Sequence, residues 1–235
     1  MQNNEILNML KLMDNSGIKE FLQNHPRIFY DVRNNNIAEN VLDLNNIRTL
    51  EELEFAINNL NTCDLKKTAK NTVFSDGDKN AKVMLIGEAP GADEDIEGKP
   101  FVGQAGKLLN KMLNSIDLKR DEVYITNIVP WRPPNNRQPT KEEIIICLPF
   151  VQKHIELINP DILILLGGIA SKALLMSDLG IMKLKGKWYE YNSYGLANPI
   201  MTRPIFHPAF LLRSPSYKKE VWKDLIEIKN KLNIK

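Results

Sequence analysis

Four short apolar runs frame this chain: Val83–Ile86, the stretch from Glu122 to Val129, the run from Asp161 to Leu166, and Ile200–Phe206. An apolar run of this length, bounded by turn residues, reads as a buried strand. Between and after them lie segments with helical period: Gln104 to Ile116, Thr140 to Ile158, Ile169 to Met176 and Pro215 to Ile234. Thr140-Lys141-Glu142-Glu143 is a capping box that opens the second of these. Strands alternating with helices predict an α/β fold, a parallel sheet with helices on both faces. In open sheets of this kind ligands bind outside the carboxyl ends of the strands.

The residues delivered to those ends are therefore the candidates. The first strand runs into Gly87-Glu88-Ala89-Pro90-Gly91, which places a carboxylate on a stiff turn. An acidic loop follows, containing Glu94, and then Gly98-Lys99-Pro100-Phe101-Val102-Gly103. Phe101 reads either as a stacking platform for a planar ligand or as a core anchor of the loop. Asn127 lies near the end of the second strand. Its amide offers a donor and an acceptor, as a base edge requires, and in a structural role it must find partners of its own. The loop Pro130 to Pro139 is rich in proline and carries Arg132 and Arg137, which suit phosphate contacts or an ordinary connection. Gly167-Gly168 ends the third strand but has neither Walker nor dinucleotide spacing. The fourth strand delivers His207-Pro208, where an imidazole can donate a hydrogen bond to developing charge. Leu211, Leu212 and Arg213 follow, read as apolar wedges beside a cation or as the start of a core-facing helix.

Composition narrows the class. The chain has 235 residues and a formal charge of +2, enough for one α/β domain with a small appendage and without a bias toward nucleic acid. Its two cysteines, Cys63 and Cys147, are too few for a disulfide framework or a four-thiolate metal site. No signal-peptide pattern and no membrane-length apolar run is present, so a soluble protein in a reducing, cytoplasmic setting is expected; a monomer is expected as well. Residues 1–50 read as a helical extension, with helical patterns at Ile6–Met13 and from Gly17, and a lone His25 taken as structural or exposed. Residues 51–235 read as the main domain, and Ser75-Asp76-Gly77-Asp78 as a turn.

Taken together, Gly87 to Gly91 with Glu94-Asp95, Gly98 to Gly103, Thr126-Asn127, Arg132-Pro133-Pro134, Asn136-Arg137 with Pro139, His207-Pro208 and Leu211 to Arg213 form a pattern. In it, the chain from about Leu60 to Leu232 resembles family 4 of the uracil-DNA glycosylases. The resemblance implies a three-layer αβα sandwich on a central four-stranded parallel sheet, and a monofunctional enzyme that removes uracil from DNA. It further implies that Glu88 positions the attacking water and offsets charge on the sugar, and that His207 hydrogen-bonds the leaving base. Phe101 would stack on the base, Asn127 would read its polar edge, and Gly87 and Glu94 would shape the pocket. Arg132, Arg137 and Arg213 would meet DNA phosphates, and Leu211 or Leu212 would wedge into the duplex. An inactive nucleic-acid-binding module and an enzyme for deaminated purines are the rival readings.

Members of that family commonly hold a 4Fe–4S cluster on four cysteines. Only Cys63 and Cys147 match here, with Leu60 and Trp131 at the partner positions. Such clusters need four protein ligands, so no cluster and no other metal is expected, with Leu60 and Trp131 filling the space.

Overall fold

The computed structural model describes residues 44–193 and 195–232. The helices expected before residue 23, and His25, lie outside the described residues. The strands are β1 (Asp76–Gly77), β2 (Val83–Gly87), β3 (Tyr124–Asn127), β4 (Ile162–Leu166), β5 (Tyr189–Tyr191) and β6 (Ile200–Ile205). They form one sheet in the order β1-β3-β2-β4-β6-β5. The four central strands run parallel, matching the four apolar runs. Two short antiparallel strands extend the sheet at its edges. One edge is the expected turn at Ser75–Asp78, which adds β1 beside β3. The other is β5, which pairs with β6, the fourth apolar run.

The helices are α1 (Leu50–Asn58), α2 (Leu65–Thr68), α3 (Ala92–Glu97), α4 (Gln104–Asn114), α5 (Lys141–Ile158), α6 (Gly168–Leu175), α7 (Ile181–Leu184), α8 (Pro208–Arg213) and α9 (Lys218–Lys231). Side chains alternate across a strand, and here both sets are apolar. Met84 and Ile86 of β2, with Leu163 and Leu165 of β4, face Cys147, Val151 and Ile155 of α5, Leu53 and Ile57 of α1 and Leu174 of α6. Val83, Leu85, Ile162 and Ile164 face Leu109 and Leu113 of α4, Leu211 of α8, and Val221, Leu225 and Ile228 of α9. Every residue of β2, β3 and β4 is buried, which is why these segments read as unbroken apolar runs. Ile47, ahead of α1, already belongs to the first of these cores.

The capping box predicted for α5 is present. Glu143 N donates to Thr140 Oγ1 at 3.2 Å, and the Glu143 carboxylate accepts from Thr140 N at 2.7 Å. No helix among the described residues is long and apolar enough to cross a membrane.

Register fixes what meets at the carboxyl edge. Gly87 pairs with Asn127 across β2 and β3, and Leu166 pairs with Ile205 across β4 and β6. The chain leaves β2 toward β3 on one side and returns to β4 on the other, so a crevice opens where the direction reverses.

Candidate active site

The crevice is a cleft of about 790 Å³ lined by Glu88, Phe101, Asn127, His207 and Arg213, among others. The first four come from the ends of β2, β3 and β6 and from the loop before α4, and Arg213 from the end of α8. Glu88, Asn127 and His207, separated by up to 119 positions in the chain (207 − 88), therefore open onto one space.

At its floor, Gly87 has no side chain for a physical reason. A Cβ there would lie 2.3 Å from Asn127 Oδ1 and 2.6 Å from Phe101 Cζ. The Phe101 ring and the Asn127 amide thus close directly over this backbone. Asn127 is only 3% exposed, and its Oδ1 has no hydrogen-bond partner. Leaving such an acceptor unpaired costs roughly 1–3 kcal/mol, so a donor brought to it is favoured. Phe101 packs in the second core, as its anchor reading expects, and also lines the cleft. Its ring centroid stands 5.5 Å from that of His207. Phe101 has φ of 53°, a left-handed conformation that is an outlier for a bulky residue and costs roughly 1–3 kcal/mol.

His207 caps α8. Its Nδ1 accepts from Ala209 N at 3.1 Å, which places the proton of the neutral ring on Nε2. Burial, reinforced by the charge of Arg213, lowers the imidazole to about 4, so it is a neutral donor at physiological pH. Burial raises Glu88 above the ordinary carboxylate range. The cleft therefore offers a carboxylate, an unpaired amide oxygen and a neutral N–H donor around an aromatic ring.

Glu94 lines the cleft and is also bound to the backbone around it. Its Oε2 accepts from Gly91 N at 3.1 Å, and its Oε1 accepts from Val102 N and Gly103 N at 3.0 and 2.9 Å. Both oxygens are committed to backbone, so this carboxylate ties the Glu88 turn to the Phe101 loop. Arg120, which sequence reasoning passed over, donates to the carbonyls of Pro100 and Phe101. No local pattern announces it, because a charged residue before a strand reads as solvated.

The expected wedge pair divides. In α8 successive residues turn by about 100°, which sends Leu211 into the core at 1% exposure and leaves Leu212 outside at 43%. Leu211 is thus unavailable as a surface wedge. Arg213 lines the cleft. Arg132 instead braces its own loop, with Nε donating to Asn136 Oδ1 at 2.7 Å and Nη1 standing 4.0 Å from Asp95 Oδ2. Arg137 lines the cleft and also makes a two-pronged pair with Glu143 at 2.8 and 2.6 Å.

Residues 74–226 match the model of the uracil DNA glycosylase superfamily. The chain belongs to the uracil-DNA glycosylase superfamily. It is 45% identical over 178 residues to a type-4 uracil-DNA glycosylase of Saccharolobus solfataricus, covering 74% of this chain and 82% of that protein. A type-4 uracil-DNA glycosylase of Archaeoglobus fulgidus is 40% identical over 186 residues, covering 77% of this chain and 92% of the relative. The span matched by the uracil-DNA glycosylase model contains every cleft residue discussed above, and leaves Cys63 outside.

The iron–sulfur cluster implied by resemblance to family 4 was tested against the residues present. Cys63 and Cys147 are both buried and free. The neighbouring Cys147 thiol lowers Cys63 to about 7, while Cys63 and burial raise Cys147. Leu60 packs against the same core, and Trp131 is 1% exposed with its indole N–H donating to Thr72 Oγ1 at 3.0 Å. What remains between Leu60, Trp131, Cys147 and His154 is a cavity of about 10 Å³, room for about one water. With two thiols in the whole chain and an indole packed beside them, a four-cysteine cluster does not fit. Among the described residues no group of three or more His, Cys, Asp or Glu side chains is placed to hold a metal ion.

Proposed function

We propose that this protein is a monofunctional uracil-DNA glycosylase, which flips uracil out of DNA and hydrolyses its N-glycosidic bond to leave an abasic site. The observation that carries the reading is the convergence of Glu88, Asn127 and His207, from three different strand ends, on one cleft walled by Phe101. Extracting the base from the stack costs a few kcal/mol. Stacking on Phe101 and hydrogen bonds to Asn127 offset that cost: uracil N3–H satisfies the unpaired Oδ1, while Nδ2–H donates to uracil O4.

The reaction then separates charge. As the bond between the base and the sugar C1′ breaks, its electron pair stays with uracil and positive charge grows on the sugar. Nε2–H of neutral His207 donates to the uracil oxygen where the negative charge collects. The Glu88 carboxylate offsets the positive sugar, orients water toward C1′ and accepts the proton that water gives up. The uracil anion takes its own proton from solvent after leaving. Arg213 lines the cleft and Leu212, its neighbour in α8, is exposed, so a phosphate contact and a wedge into the gap fit this scheme. Arg132 and Arg137 are the further phosphate contacts of the reading, and Gly87 and Glu94 shape the base pocket.

The same reading takes residues 51–235 as the glycosylase unit, preceded by a helical extension. It also takes the protein to be a monomer in a reducing cytoplasmic setting, working without a cluster. The packing of Trp131 beside only two thiols supports the last point. The test is release of uracil from a labelled oligonucleotide, read as abasic-site cleavage on a gel. Asn127→Ala and His207→Ala are expected to lose about 100-fold or more each. No abasic product from folded wild-type protein refutes the function. Brown protein with stoichiometric iron refutes the cluster-free part alone.

A further inference from the structure

We infer that Arg120 is a positioning residue for the base-stacking wall: its guanidinium holds the loop that presents Phe101 in the conformation the cleft requires. The inference rests on the glycosylase reading above. Arg120 lies in a short 3-10 turn ahead of β3 and does not itself line the cleft; it meets the cleft wall only through backbone carbonyls. Its Nη2 donates to Pro100 O at 2.6 Å and its Nη1 to Phe101 O at 2.9 Å. Nη1 also donates to Asn110 Oδ1 of α4 at 3.1 Å, and Nε donates to Asp76 Oδ2 of β1 at 2.7 Å. One rigid, planar group thus binds the sheet edge, the following helix and two consecutive carbonyls of the loop, a task suited to a guanidinium fork.

The loop needs such a hold. Phe101 sits at φ of 53°, which a bulky side chain keeps only where its surroundings over-determine it. From one side, Glu94 fixes the next two amides, Val102 N and Gly103 N. From the other, Arg120 fixes the two carbonyls. Beneath, α4 approaches so closely that a Cβ on Gly106 would lie 1.8 Å from Phe101 O. A carboxylate clamps the donors and a guanidinium clamps the acceptors of one strained segment. Release of the carbonyls lets Phe101 relax toward ordinary backbone, and the ring then leaves the position defined by Gly87 and Asn127.

The test is a double-mutant cycle on uracil release, with Arg120→Met and Phe101→Ala alone and combined. Arg120→Lys is run in parallel should Arg120→Met fail to fold. Arg120→Met is expected to lower kcat/KM by about 100-fold, the size of effect that an ångström of misplacement produces. Added to Phe101→Ala, it is expected to cost no more than about 3-fold, because residues acting through one another are not additive. A residue that only stabilises the fold would show additive losses tracking the melting temperature. Full activity in Arg120→Met, an unimpaired Phe101→Ala, or additive losses overturns the inference. Wild-type protein inactive on uracil-containing DNA overturns the glycosylase reading instead, so the two failures are distinguishable.

Discussion

Substituting alanine for Gly87 tests the geometry of the pocket with one methyl group. The backbone there is not in the left-handed region, so alanine brings no conformational strain and acts by volume alone. Its Cβ would lie 2.3 Å from Asn127 Oδ1 and 2.6 and 2.7 Å from two carbons of the Phe101 ring. Ordinary contact begins near 3.4 Å, so the amide and the ring must each withdraw by roughly 1 Å. Asn127 is held in a buried strand and Phe101 in a doubly clamped loop, so neither yields freely. A displacement of about 1 Å at a reacting site costs about 100-fold in rate, equivalent to about 2.7 kcal/mol of transition-state stabilisation. Overpacking costs stability of about 1–3 kcal/mol, which for a chain of this size lowers the melting midpoint by roughly 2–4 °C per kcal/mol. The assay is single-turnover uracil release at saturating enzyme, well below the measured midpoint. Gly87→Ala with near wild-type turnover would refute the claim that ring and amide meet over this backbone to form the base site.

Two further outcomes follow from burial. His154 is fully buried, hydrogen-bonded through Nδ1 to Tyr124 OH at 2.9 Å, and held neutral down to about pH 3. The unfolded chain takes up this proton below about 6.5, so the stability is present above that pH and is lost as pH falls toward 3; between pH 7 and 5 the loss is about 2 kcal/mol. Urea unfolding of His154→Gln is expected to show that much less acid sensitivity than wild type, and equal pH dependence would refute the argument. The leucine pair separates by role: Leu211→Ala is expected to cost about 2–5 kcal/mol in thermal or urea unfolding. Leu212→Ala should leave stability within about 0.5 kcal/mol while slowing uracil release from duplex DNA; the reverse pattern would contradict the arrangement of α8.

The four parallel strands were legible because burial on both faces leaves no polar alternation, so Val83–Ile86 and Ile162–Leu166 stand out as unbroken apolar runs. The edge strands were not, because Asp76–Gly77 and Tyr189–Tyr191 are strands only by virtue of the neighbour they pair with. Glu88, Asn127 and His207 were legible from their positions at strand ends, and register brings them together. Leu211 and Leu212 were indistinguishable as letters, since only the helix rotation separates core from surface. The backbone role of Glu94 does leave a trace: its spacing of three from Gly91 is that of a helix-capping carboxylate. Arg120 leaves none, because its partners lie 10 to 44 positions away.

The pairing of Arg137 with Glu143 bears on how such a protein would travel along a polymer. Glu143 also accepts from Thr140 N at the start of α5, so the guanidinium is already engaged by an anion built into the fold. On the reading proposed above, in which Arg137 meets a DNA phosphate, that phosphate has to compete with the carboxylate, and the gain in binding is only the difference between the two attractions. Such a hold is light and readily surrendered, which favours short visits at each nucleotide over prolonged attachment at any one.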